Sequence, residues 1–230
     1  MHIASITLAL VVASTVQAGP AASMDDVKIE TVPVAERIVM LSGRGGNIGV
    51  SFGDDGIFLI DDQYAPLTPK IQAAIAAISR KPVQFVLNTH WHGDHTGGNR
   101  AFGKDATIIA QSNVRKRLAT PQDRGGKMSE AQPTEALPIV TFEDGVTIWF
   151  NGEEVEAVHL PSGHTDGDAV IFFKHAHVVH MGDLFFNGSF PFIDRNSGGD
   201  LMGYVKRGGR AQEGPRRRED HPRSRRARHP

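Results

Sequence analysis

The sequence predicts an α/β protein carrying a mixed sheet in two halves. Three observations lead there. Apolar runs of strand length lie on both sides of one well-marked helical segment, one of these runs is continuously apolar, and histidines and aspartates collect just after strand ends.

From residue 28 to 60 the pattern is β: KIETV, RIVML, NIGVSF and GIFLI, with Gly53-Asp54-Asp55-Gly56 as the turn between the last two, so these strands are expected to be antiparallel. TPKIQAAIAAISRKP then starts a helix, with Thr68 as N-cap, Pro69 at the first helical position and a stop at Lys81-Pro82. VQFVL (83–87) reads as an apolar run, broken only at Gln84, as expected for a strand covered on both faces. A short strand at 107–110 and a helix at 112–118 follow. Residues 119–137 are polar and broken by Gly and Pro, which reads as a mobile loop or lid. The β pattern resumes with VTIWF (146–150), a tight turn at Asn151-Gly152, EVEAVHL (154–160), AVIFF (169–173) and HVVHM (177–181). No internal repeat of solenoid period is present.

Composition narrows the function classes. With 230 residues, 40% apolar and 22% charged, the chain can bury a substantial core. A net charge of −1 points to neither nucleic acid nor an anionic membrane. The absence of cysteine removes disulfides, thiolate ligands and a cysteine nucleophile, so a metal would be held by imidazole and carboxylate. MHIASITLALVVASTVQAGP reads as a signal peptide (1–18) cleaved after Ala18, its apolar run too short to span a membrane. Export implies a periplasmic or secreted protein.

The chemistry concentrates in NTHWHGDHTGGN (88–99), where His90, His92, Asp94 and His95 fall in a Gly-rich loop after the buried strand. Packing gives no reason for that density of imidazole and carboxylate. No loop so short encloses a metal alone, and two later segments share its position at strand ends: PSGHTDGD with His164, and MGDLFF with Asp183. Three neutral imidazoles that leave a fourth tetrahedral position open make a catalytic rather than a structural zinc site.

In order and spacing, His90-Trp91-His92-Gly93-Asp94-His95, Ser162-Gly163-His164-Thr165 and Gly182-Asp183 resemble the metallo-β-lactamase superfamily over roughly residues 27–205. The resemblance implies a four-layer αβ/βα sandwich and two Zn2+ sites, with His90, His92 and His164 on the first, Asp94 and His95 on the second, and Asp183 bridging. Two cations about 3.5–4 Å apart let a shared water ionise at about pH 7. Asp94 would orient that nucleophile or pass a proton to the leaving group. Gly93, Gly97 and Gly98 would let the backbone fold around the ligands, and Asp61 would hydrogen-bond a ligand imidazole. The reaction expected is hydrolysis of an ester, thioester, amide or β-lactam in a small-molecule substrate, without nucleic acid or a membrane span. Asp183 and His95 match the wider hydrolase pattern, hydroxyacylglutathione hydrolases included, where broad-spectrum lactamases carry Cys and a basic residue. A di-iron reductase relative would show a carboxylate at His92.

Other residues read as structural. His175, His177 and His180 sit in a hairpin without an adjacent carboxylate, and His159 ends a strand. For Phe185, Phe186, Phe190 and Phe192, core packing is preferred over a pocket floor.

The final segment departs from the family. The second zinc generally takes another histidine after one more helix and strand, yet residues 206–230 carry ten Lys or Arg against three Asp or Glu, leaving fifteen basic and twenty-three acidic groups before them. Their histidines, His221 and His229, each precede proline in a stretch without apolar periodicity. The reading is an Arg-rich disordered or frameshifted tail, a missing closing helix and strand, and an incomplete second metal site. The alternative is a truncated, catalytically impaired metal binder.

Overall fold

The computed structural model describes residues 23–123, 126 and 128–206. The expected leader (1–18) and all but the first residue of the expected tail (206–230) lie outside them.

The first sheet opens with an antiparallel meander of β1 (Glu30–Ala35), β2 (Ile38–Ser42), β3 (Ile48–Gly53) and β4 (Gly56–Ile60). It continues in parallel with β5 (Val83–Asn88) and β6 (Thr107–Gln111). A separate two-stranded ladder, β7 (Gln122–Asp123) with β8 (Met128–Ser129), precedes β9 (Val140–Phe142), which closes the sheet beside β6. The second sheet is an antiparallel meander of β10 (Gly145–Phe150), β11 (Glu153–His159), β12 (Ala169–Phe173) and β13 (Val178–His180).

Alternation along β4 explains the layering. Phe58 and Ile60 point to the second sheet and meet Phe150, Val155, Ile171 and Phe173, whereas Ile57 and Leu59 point the other way. That outer face is covered by α1 (Thr68–Ile78) through Ile71 and Ile75 and by the preceding Leu67. Each fully buried side chain of this size contributes about 1.5–3 kcal/mol. On the far side of the second sheet, Tyr204, from a helical turn over residues 201–206, packs against Val170 and Leu184. The order is helix, sheet, sheet, helix: the αβ/βα sandwich. No described helix is long and apolar enough to cross a membrane.

Two connections fix the sheets against each other. At the end remote from the histidines, Asp55 N donates to Asn151 Oδ1 (3.1 Å) and Asn151 N to Asp55 Oδ2 (2.6 Å), clasping the β3–β4 and β10–β11 turns. At the other end Ala169 N donates to Thr89 O (2.8 Å).

Several sequence expectations are corrected. Thr68 is not the N-cap but the first helical residue: the 3-10 turn Ala65–Leu67 runs into α1, so Leu67 takes the cap position without a side-chain bond. The Gly-rich block is helical in two short pieces, α2 (Gly93–Thr96) and α3 (Asn99–Phe102). Gly97 has ordinary helical φ there. It is needed for closeness, because a Cβ would stand 2.6 Å from Ala65 N and Gln63 O. Residues 119–137 are not simply a lid: besides the β7–β8 ladder, Ala136 and Leu137 are buried and Gln132 N donates to Leu118 O.

Candidate metal centre

NTHWHGDHTGGN closes on itself through its end residues. Asn88 Nδ2 donates to Asn99 Oδ1 (3.1 Å), Asn99 Nδ2 donates back to Asn88 Oδ1 (2.9 Å), and both amides are fully buried. Asn88 also donates to His95 O, so the loop leaves β5 and returns through α2 around a rigid amide pair. His164 arrives on the loop between β11 and β12. That loop is tied to α4 (Ser112–Leu118) by Arg117, whose Nε and Nη2 donate to the two carboxylate oxygens of Asp166 at 2.8 and 2.7 Å. Asp183 follows β13 in a 3-10 turn. The preceding Gly182 has φ +50°, and a Cβ there would stand 2.6 Å from Thr89 Oγ1.

His90, His92, His164 and Asp183 each bring one ligand atom to within 4.8 Å of the others. His92 Nδ1 is 3.1 Å from His90 Nε2 and 2.9 Å from His164 Nε2, and Asp183 Oδ2 is 3.4 Å from His164 Nε2 and 4.0 Å from His90 Nε2. Ligands about 2.0–2.1 Å from a tetrahedral ion lie roughly 3.3 Å apart, within the spread of these separations. His95 Nε2 lies beside this group, 3.1 Å from Asp183 Oδ1 and 3.7 Å from Asp94 Oδ2. It is buried yet lacks a hydrogen bond of acceptable direction, as expected of a nitrogen reserved for a cation. The donor set therefore fits one metal well, with a second, sparser position at Asp94, His95 and Asp183.

The other nitrogen of each ring decides which atom faces the centre. His90 Nδ1 meets Thr89 Oγ1 (3.1 Å), whose hydroxyl is donated to Asp61 Oδ2 (2.8 Å). His95 Nδ1 meets Asp61 Oδ2 (2.7 Å), His164 Nδ1 meets Phe192 O (2.7 Å), and His92 Nε2 meets Asp194 Oδ2 (2.8 Å). Each partner accepts the ring N–H, so the lone pair points inward: Nε2 from His90, His95 and His164, but Nδ1 from His92. Asp61, expected from its place after GIFLI, serves His95 and also accepts from Thr89 N (2.7 Å). Its φ of +64°, with Gln63 at +56°, puts strained backbone directly behind the centre.

Electrostatics complements this. Burial, and then the neighbouring histidines, hold His90 well below the ordinary histidine range. Burial lowers His92 against the pull of Asp194, and lowers His164 against Asp183. These three rings are thus held neutral, the form a metal ligand needs. His95 is the opposite case: burial disfavours its charge, but Asp61 and Asp183 outweigh burial and raise it well above the usual value. Burial would raise Asp183, yet the 3.1 Å contact with His95 and the charge of that ring bring it down, so it stays ionised.

Sequence reasoning missed Thr89, Asp194 and the Phe192 carbonyl. A threonine beside the first histidine carries no signal of its own, an aspartate 102 residues from His92 gives no spacing to read, and a carbonyl is invisible in composition. His159 stays structural, with Nδ1 on Asp168 O (2.8 Å), and His175 bonds Gly152 O at the remote end. His180 differs from its hairpin companions in lining the groove beside Asp94, His95 and Asp183. The preference for core packing of the four phenylalanines is overturned. Phe185, Phe190 and Phe192 are 59%, 97% and 60% exposed, and the rings of Phe186 and Phe192 stand 6.2 and 5.8 Å from that of His164.

Comparison with known proteins agrees with this arrangement. The family model described as "Metallo-beta-lactamase superfamily" matches residues 42–218. The chain belongs to that superfamily. Among solved structures of the superfamily, it is similar to a metallo-beta-lactamase from Pontibacter korlensis (TM-score 0.66, 19% identity, covering 81% of this chain and 86% of that one). It is also similar to a subclass B3 metallo-beta-lactamase of Bradyrhizobium japonicum (TM-score 0.62, 20% identity, 78% and 72% covered). At those identities the likeness is one of fold. Curated relatives include a hydroxyacylglutathione hydrolase of Gloeobacter violaceus, 30% identical over 142 residues, 59% of this chain and 50% of that protein. Another is the 2,4-dinitroanisole O-demethylase subunit alpha of a Nocardioides species, 25% identical over 140 residues, 59% of this chain and 40% of that protein. The chain thus matches half or less of the length of these two relatives.

Proposed function

We propose that the protein is a zinc-dependent hydrolase that cleaves an ester, thioester, amide or β-lactam bond of a small molecule. The observation that supports this most is the set of four histidines, each with one ring nitrogen engaged by an outer acceptor and the other turned to a shared centre open to a groove. Zinc bound there would supply Lewis acidity toward the acyl oxygen and would lower the pKa of water at the site. The chain's own residues do the rest. His90, His92 and His164 with Asp183 would hold the first ion, and His95 and Asp94 with Asp183 would hold the second. Asp94 lines both grooves that open on the centre, so its carboxylate can orient the attacking water and carry a proton to the leaving atom. Asp61, Thr89 and Asp194 keep the rings in their tautomers throughout.

Unequal occupancy belongs to the same proposal. Among the described residues the second position has one histidine and two aspartates, so the first zinc binds tightly and the second weakly. Elemental analysis after desalting is expected to give about one equivalent, and two retained equivalents would overturn the inequality. Hydrolysis is tested with nitrocefin, a thioester and an aryl ester, with and without chelator. Chelator-sensitive turnover of at least one, lost in His164→Ala, supports the reading, and no metal-dependent turnover of any refutes it. Export through the 1–18 leader is also proposed, supported by its apolar run and small residues; a mature N-terminus at Gly19 is expected, and an intact Met1 on protein from the native host would contradict it.

A further inference from the structure

Two grooves meet at the candidate metals. One, about 520 Å³, runs past Tyr64, Trp91 and Phe192. The other, about 890 Å³, runs past Met40, Val179, Met181, Phe185 and Phe186. They share Asp94 and Asp183, so a substrate whose scissile bond sits at the metals has room to extend into both. Neither lining, as the described residues form it, contains Lys or Arg. The first instead carries Asp123 and Asp194 in addition to the two shared carboxylates.

The aromatic wall is anchored. Phe192 accepts His164 Nδ1 on its backbone carbonyl, which fixes its Cα next to a metal ligand while its ring stays 60% exposed over the groove, 6.4 Å from the ring of His92. Phe186, 6.2 Å from His164, faces the other groove. Rings exposed to water at the mouth of a catalytic centre gain most by covering an apolar group. In the singly loaded protein the two charges of one zinc would be offset by Asp94 and Asp183, leaving Asp123 and Asp194 to repel an anion.

The geometry points to substrate selection by an aromatic clamp: the protein takes an uncharged ester or thioester with an aryl or bulky apolar acyl group, held by Phe186 and Phe192 across the metals, and discriminates against substrates carrying a carboxylate. This rests on the hydrolase reading above. In the reaction a water oxygen bonds to the acyl carbon, the acyl–oxygen or acyl–sulfur bond breaks, and the leaving group departs with one proton while the acid keeps the water oxygen.

Activity and binding are read in parallel on the purified protein. Hydrolysis is measured with 4-nitrophenyl acetate, phenylacetate and valerate, and with the glutarate monoester, which places a carboxylate at the end of a chain like that of valerate. Binding of 4-phenyl-2-butanone and of its 4-carboxyphenyl counterpart is measured by calorimetry. Expected are at least about tenfold higher kcat/KM for phenylacetate than acetate and for valerate than glutarate, and at least about tenfold weaker binding of the carboxylated ketone. Phe186→Ala and Phe192→Ala should each bring the phenylacetate-to-acetate ratio down about tenfold, mainly through KM. Equal handling of neutral and carboxylated ligands, or ratios untouched by both substitutions, overturns the clamp. If the neutral ketone binds selectively while these esters, nitrocefin and a thioester all go without metal-dependent turnover, the hydrolase reading fails and the clamp stands.

Discussion

Removing Asp194 tests how much of the metal affinity resides outside the ligand set. His92 is the one histidine that faces the centre through Nδ1, and its Nε2 is held by Asp194 Oδ2 at 2.8 Å. Asp194 is itself fixed by Ser197, with Oγ at 2.5 Å from Oδ2 and N at 3.2 Å from Oδ1. Burial would raise the Asp194 carboxyl, but the bonds from Ser197 and His92 outweigh it and keep it ionised. In Asp194→Ala the backbone bonds from Asp194 N to His164 O and from Gly199 N to Asp194 O persist, so the loop keeps its course while the ring loses its tautomer lock. A hydrogen bond to a charged group contributes about 1.5–3 kcal/mol, and loss of an outer partner of a ligand histidine weakens metal binding about 10–100-fold, that is, about 1.4–2.7 kcal/mol. The two estimates coincide. Competition of the protein with a fluorescent zinc chelator at neutral pH measures the first equivalent directly. Asp194→Asn retains an acceptor without the charge and should lose less than tenfold. If Asp194→Ala binds zinc within threefold of the parent while melting at the same temperature, outer-shell control of His92 is refuted.

Three further outcomes are expected. Because His95 is raised and the other three rings are lowered, calorimetry in buffers of different ionisation enthalpy should show about one proton released with the second metal and almost none with the first; equal release would contradict the assignment. Burial pushes Asp168 up to about 7 against the hydrogen bonds from Thr165. An unfolded Asp loses its proton near about 3.9, so between about pH 4 and pH 7 this carboxyl binds more protons in the folded state and its own contribution to the stability of the metal-free protein falls as pH rises, by on the order of 4 kcal/mol. Asp168→Asn should flatten that slope in denaturant titrations, and an unchanged slope would show that the carboxyl is not the source. Phe58→Ala should cost about 3–5 kcal/mol in the same assay, since the ring is fully buried between the sheets at 5.6 Å from Phe85 and 6.0 Å from Phe150; a loss under 1 kcal/mol would mean the space is refilled.

The strands and the first-rank histidines were legible because each is written locally. VQFVL is apolar but for the exposed Gln84 since β5 has sheet neighbours on both sides and layers on both faces, and the density of His and Asp after it has no packing role. Asp61 was readable by position, one residue beyond a buried strand. What escaped depends on distance in sequence. Asp194 reaches His92 only because the chain folds back after Asp183, and the phenylalanines look like core residues in composition. Their exposure follows from where that loop is anchored, by a carbonyl on His164. The two short helices in the Gly-rich block were missed because their glycines mark close approach to Asp62 and Gln63 rather than a turn.

The reciprocal clasp of Asp55 and Asn151 sits about 17 Å from the histidines, one strand length away. Four of the six donor residues follow β5 of the first sheet and two, His164 and Asp183, come from the second, so their mutual register is decided by whatever stops one slab from shearing over the other. A rivet at the far edge, working with the Thr89 to Ala169 bond near the ions, leaves that slip little room, and the grip on metal becomes a mechanical property of the whole sandwich.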